Sequence, residues 1–121
     1  MSLEQIYASY QHMGNEIAHA LPADWQRAWV LVEHDDYSCS VACFYSSLDT
    51  SIEPGYIVMP DSVFKAFSQL RQICRETTND AWSTATFILE REKFRIEYGY
   101  DPVPIEGELE RRRAWKKKYL P

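Results

Sequence analysis

Glycine is scarce in this sequence, with four residues in 121. None of them falls in a G-x-x-x-x-G-K arrangement, so a glycine-rich loop that cradles phosphates is not expected. Cysteine is equally sparing. Cys39, Cys43 and Cys74 make an odd set with no framework of disulfides, and the first two lie in an apolar, strand-like run where small buried thiols are common. Long apolar runs are missing as well: no stretch approaches the roughly 18 residues needed to cross a bilayer. The opening "MSLEQIYASYQHMGNEI" has no basic segment followed by an apolar core, so no signal peptide is read there. These absences point to a cytoplasmic protein with reduced thiols and no membrane partner.

What is present is a core. Hydrophobic residues make up 45% of the chain and aromatics 14%, which argues against disorder. A chain of this length buries roughly two-thirds of its unfolded surface and needs no metal or disulfide to fold. Charge is distributed unevenly. "RRRAWKKKYLP" closes the chain at 111–121 and carries six cations, from Arg111 to Lys118. The rest holds seven basic and 18 acidic side chains, a net charge of −11. A body of that sign repels nucleic acid and attracts cationic partners.

Periodicity gives the organisation. Leu3, Ile6, Tyr10, Met13 and Ile17 make an amphipathic helix over 2–21, with Ser2 as a candidate cap and Pro22 as its stop. "WQRAWVLVEHDD" (25–36) and "YSCSVACFYSS" (37–47) pair as a hairpin around Asp35–Asp36, and "GYIVMP" (55–60) supplies a third strand. A second helix starts with Asp61 or Ser62 as its cap and carries Val63, Phe67, Leu70 and Cys74 on one face. "STATFILERE" (83–92) and "KFRIEYGYD" (93–101) form a second hairpin. In the latter, Phe94, Ile96, Tyr98 and Tyr100 face one way while Lys93, Arg95 and Glu97 face the other. Residues 105–120 form a third helix, acidic at its start and basic at its end as the helix dipole prefers. Glu108 and Arg112 stand at the favourable i, i+4 spacing, and Trp115 and Tyr119 can dock together on the sheet. The order predicts a single α+β domain over 1–121, an antiparallel sheet of about five strands with helices at the N-terminus, middle and C-terminus.

Catalytic chemistry is thin. His12 and His19 lack a third ligand, and His34 with Cys39 and Cys43 lacks the four ligands and the C-x-x-C knuckle of a structural zinc site. A thiolate paired with His34 would sit in an apolar strand, a poor place for it. Acidic pairs occur at Asp35–Asp36 and Glu90–Glu92, and two such carboxyls converging in a pocket would suit a hydrolase. Solvated turns explain them equally. No catalytic residue, metal or cofactor is expected.

Two stretches are more distinctive. "DAWSTATFILEREKFRIEYGYD" (80–101) and "ERRRAWKKKYLP" (110–121) together resemble the YezG-like family of antitoxin or immunity proteins. The matching places are Trp82–Ser83, the K-F-x-I-x-Y-x-Y run from Lys93 to Tyr100, and the closing helix with Arg111, Trp115, Lys116, Lys118, Tyr119 and Leu120. "PADWQRAWV" (22–30) resembles the family's opening. The resemblance implies an immunity protein that neutralises the toxic C-terminal domain of a polymorphic toxin. Such domains are frequently nucleases, and an acidic body would complement a nuclease's cationic groove. Candidate toxin-binding residues are Asp35, Asp36 and Tyr37 at the first turn, Asp49, Glu53 and Tyr56 around the third strand, and Glu90, Glu92 and Glu97 on the second hairpin. The alternative is a nucleic-acid-binding or regulatory protein that uses the basic segment 111–118.

Overall fold

The computed structural model describes residues 3–48 and 53–121. Ser2 and Asp49 lie outside the described residues. The chain runs α1 (Leu3–Ala20), β1 (Trp25–His34), β2 (Cys39–Ser47), β3 (Gly55–Ile57), α2 (Asp61–Thr78), β4 (Thr84–Glu90), β5 (Phe94–Gly99) and α3 (Glu108–Tyr119). The strands form one antiparallel sheet in the order β3-β2-β1-β4-β5. The α+β architecture read from the sequence holds.

Strand alternation sends the two halves of each apolar run to opposite faces of the sheet. In register across the sheet, Val30 sits between Cys43 and Phe87, and Val32 between Val41 and Ala85. These residues join Met13 and Ile17 of α1 and Val63, Phe67 and Leu70 of α2 in the main core. The intervening residues, Trp29, Leu31, Ala42, Phe44 and Ile88, form a second apolar layer on the other face. That layer is covered by α3 through buried Trp115, with Tyr119 and Leu120 packed beside it. The closing segment is therefore a docked helix. The indole Nε1–H of Trp115 donates to Thr86 Oγ1 at 2.9 Å, so the one polar atom of a buried side chain is satisfied by the one buried polar residue of the sheet.

Several boundaries differ from the sequence reading, three of them for a clear local reason. β3 stops at Ile57, because Val58 turns out to solvent, Met59 turns into the core and Pro60 begins α2. Pro60 is the N-cap of α2 without a side-chain capping bond, so neither Asp61 nor Ser62 caps it. Asp61 instead sits in the first turn, where the helix dipole favours a carboxylate. α3 begins at Glu108 rather than 105, because Gly107 takes a φ of 81° as its N-cap, a conformation that glycine adopts without steric cost.

Replacing Trp115 with Ala should cost about 3–5 kcal/mol of stability, the range for a buried large aromatic. Thr86→Val, which keeps the shape but strands the indole N–H, should cost about 1–3 kcal/mol. Urea unfolding midpoints measure both. A tail that only grazed the sheet would leave them unchanged.

Candidate binding surface

The sheet has two ends, separated by the length of β1, about 30 Å for ten residues. The candidate residues are divided between them. Asp35, Asp36 and Tyr37 occupy the β1–β2 turn at one end. Glu90 and Glu92 flank the β4–β5 turn at the other, where Glu53 and Tyr56 also lie, leading into and along β3. Glu97 projects from the face of the edge strand β5, opposite Thr86.

At the β1–β2 end, local hydrogen bonds explain how each acid is held. Asp35 closes the turn by accepting from the backbone N–H groups of Tyr37 and Ser38, both at 2.7 Å, and these bonds hold its carboxyl below the usual range. Asp36 reaches across to α2 and accepts from Arg75 and, at 3.0 Å, from Arg71, which depress its pKa in that order. Arg71 also donates to the Trp82 carbonyl at 2.8 Å, so α2, the β1–β2 turn and the approach to β4 are tied together. Glu33 accepts from Arg111 at 2.7 and 3.1 Å, and Arg111 donates a further bond to the Glu106 carbonyl. That pairing brings loop 100–107 against the first turn. Val103, Pro104 and Ile105 line a recess of about 180 Å³ with Glu33, His34, Asp35, Glu108 and Arg111.

The result is an acidic end with apolar points. Exposed Asp101, Glu106 and Glu110 join Asp35 and Asp36 there, on the loop and helix start held by Ser83 and Arg111, and exposed Asp80 lies between α2 and the approach to β4. Tyr37 is 97% and Ile105 100% exposed, with Tyr100 and Leu109 also open. Large exposed side chains ringed by carboxylates suit contact with a cationic protein surface, since interface energy concentrates in such anchors.

No family model matches the chain. Two curated relatives do. The chain is 27% identical to immunity protein YezG of Bacillus subtilis (strain 168) over 130 aligned positions, covering 92% of this chain and 85% of the relative. It is 25% identical to immunity protein YezG of Bacillus spizizenii (strain ATCC 23059 / NRRL B-14472 / W23), covering 92% of this chain and 80% of that one. The chain is thus similar over most of its length to two immunity proteins of this name.

The other end of the sheet is built more for structure. Glu90 is held between Arg27 at 2.7 Å and Lys93 at 3.3 Å. Arg91 lies over the Trp25 ring at 4.4 Å and donates to the carbonyls of Trp25 and Ala23. Glu92 and Glu53 are exposed, and Tyr56 packs its ring 5.2 Å from Phe44. Burial pushes the thiols up, Cys39 to about 11 and Cys43 to about 12, so neither is a ready thiolate. Among the described residues no group of three His, Cys, Asp or Glu is placed to hold a metal ion. No described helix is long and apolar enough to cross a membrane.

Sequence reasoning missed Ile105, Asp80 and Asp101, which belong to no periodic stripe, and placed Tyr100 only in the alternation of the last strand. The signal for Ile105 was an apolar residue inside the turn-forming P-I-E-G segment. Glu33 also had one, as a lone charge closing the apolar run W-V-L-V-E. Such a residue needs a partner, and Arg111 supplies it.

His34 links this end to the core. Its Nδ1 lies 2.6 Å from the Asp35 carbonyl, which can only accept, so the neutral ring carries its proton there and Nε2 accepts from Ser68 Oγ at 2.8 Å. Burial lowers the His34 pKa below its ordinary 6.5. The unfolded chain then binds this proton at higher pH than the folded one, so the stability involved is present above pH 6.5 and is lost as pH falls through the folded value. His34→Gln should flatten that part of the pH–stability profile. The further loss below about pH 4, from Asp35 and Asp36, should remain. Urea midpoints measured across that range test both.

Proposed function

We propose that this chain is an immunity protein that binds a cognate toxin domain and neutralises it without turnover, using the acidic β1–β2 end as its docking surface. The observation that carries the reading is the set of exposed acids Asp35, Asp80, Asp101 and Glu106 together with the exposed Tyr37 and Ile105 toward one end of the sheet. The relatives' name supports an immunity role in general. The toxin we favour is a nuclease, whose cationic substrate groove an acidic surface complements. Carboxylates would occupy phosphate positions or cover the groove's mouth, and the charge would act mainly on association rate and specificity. The carboxylates of the recess support a binding role rather than acid–base catalysis. Glu33 is paired with Arg111 and Asp35 is held ionised by backbone N–H groups, whereas a general acid needs a raised pKa.

The docked tail weighs against the nucleic-acid reading. Arg111 is spent on Glu33, Arg112 pairs with Glu108 at 3.3 Å, and Lys116 and Lys118 lie over the rings of Phe44 and Tyr119. A free basic arm would leave all six cations to phosphates.

Co-purification with any toxin domain encoded beside this gene, together with a nuclease assay, tests the proposal. A stable, inhibited complex is expected. Tyr37→Ala should weaken it by about tenfold or more, as for an aromatic anchor. Asp80→Lys with Asp101→Lys should slow association and reduce its salt dependence, and Glu92→Lys at the other end should do neither. Loss of binding confined to Glu92→Lys would move the docking surface to the β4–β5 turn. Salt-sensitive retention of RNA or DNA without a toxin complex would return the function to 111–118.

A further inference from the structure

β5 is a sheet edge with no strand on its outer side among the described residues. The backbone parity of that edge is set by the turn that precedes it. The Glu90 N–H donates to the Lys93 carbonyl at 2.8 Å, so odd-numbered residues of β5 direct their backbone groups to β4. The N–H and C=O groups of Phe94, Ile96 and Tyr98 therefore point to the open edge. Natural edges are usually blunted by charge, and here Lys93 and Arg95 do this against unrelated strands.

Against a second copy of itself, however, "FRIEYG" is self-complementary. We propose that the chain forms a twofold homodimer by antiparallel pairing of β5 with β5 of a second copy, centred on Ile96. Antiparallel partners must lie on the same face of the sheet, which restricts a symmetric pairing to a centre on one residue. Centred on Ile96, Arg95 faces Glu97 of the second copy and Glu97 faces its Arg95. On the opposite face Phe94 meets Tyr98. The same register pairs the outward-pointing backbone groups of Phe94, Ile96 and Tyr98 with one another. Shifting the centre to Arg95 or Glu97 sets like charges directly opposite, which is destabilising. Of the centres Arg95, Ile96 and Glu97, Ile96 alone satisfies charge, face and backbone together.

The flank of the edge carries the apolar surface that such a contact would cover. Phe94 is 40%, Tyr7 61% and Tyr100 59% exposed. Tyr7, Tyr10 and Phe94 form a chain of edge-to-face rings at 6.2 and 5.5 Å along α1 and β5. Arg95 and Glu97 of one chain lie only 3.5 Å apart, so both heads already occupy the exposed face on which they would be exchanged. The inference is independent of the immunity reading, and it assigns Glu97 to self-association rather than to toxin contact.

Sedimentation equilibrium of the full chain over a concentration series tests it. A monomer–dimer equilibrium is expected. Arg95→Glu or Glu97→Arg should weaken it by about tenfold or more, because symmetry turns two attractive pairs repulsive. The double charge swap should restore the dimer. Because a substituted strand can misfold, amide hydrogen exchange of the unaltered protein gives a second readout. Protection of Phe94, Ile96 and Tyr98 should rise with protein concentration. A monomer at every concentration, a dimer indifferent to both reversals, or edge amides whose exchange ignores concentration would each overturn the proposal.

Discussion

The docking of α3 on the sheet's second face is the constraint on which the rest of the structure depends. Alternation gives β1, β2 and β4 apolar residues on both faces, and a sheet with two apolar faces needs two covers. α1 and α2 supply one. The other layer, Trp29, Leu31, Phe44 and Ile88, is left to a short helix whose sequence is mostly charged. Three contacts make so polar a helix suffice: Trp115 inserts into the layer, its indole bonds Thr86, and Arg111 pairs with Glu33 at the end of β1. The Lys and Arg stems then lie across apolar surface while their heads reach solvent or aromatic rings.

The same docking determines where charge accumulates. Anchored at Glu33, α3 presents Glu108 and Glu110 at the β1–β2 end and carries Lys116–Lys118 away along the helix, roughly 12 Å further on at 1.5 Å per residue. Loop 100–107 must bridge from the end of β5 to that anchor, and in doing so it sets Ile105 beside the first turn. The contrast between an acidic body and a basic tail thus becomes a contrast between ends of one folded unit. Under the proposed function, a cationic partner meets the acidic end while the cations of the tail serve as scaffold.

Much of the fold was legible because it rests on local periodicity. The 4-3-4 rhythm of Val63, Phe67, Leu70 and Cys74 and the alternation of Ile96 and Tyr98 each report one element's inward face, and all of these residues join or pack against the main core. The dipole-ordered charges of α3 and the pairing of Trp115 with Tyr119 were readable in the same way. The surface was less so. Asp35, Asp36 and Tyr37 could be placed at a turn, but the turn's neighbours come from far along the chain. Asp36 meets Arg71 and Arg75, and Glu33 meets Arg111. Ion pairs of such separation leave no periodic trace. Starting α3 after Gly107 rather than at 105 depended on one backbone angle, which composition does not reveal.

Amide hydrogen exchange across residues 111–119 tests the central claim most directly. If α3 is a docked cover of the second face, its amides should be protected to a degree approaching those of β1, and that protection should fall in Trp115→Ala. Exchange at the rate of an unstructured peptide would contradict the docking. It would also remove the reason for placing loop 100–107, and the acidic end built on it, where the structure has them.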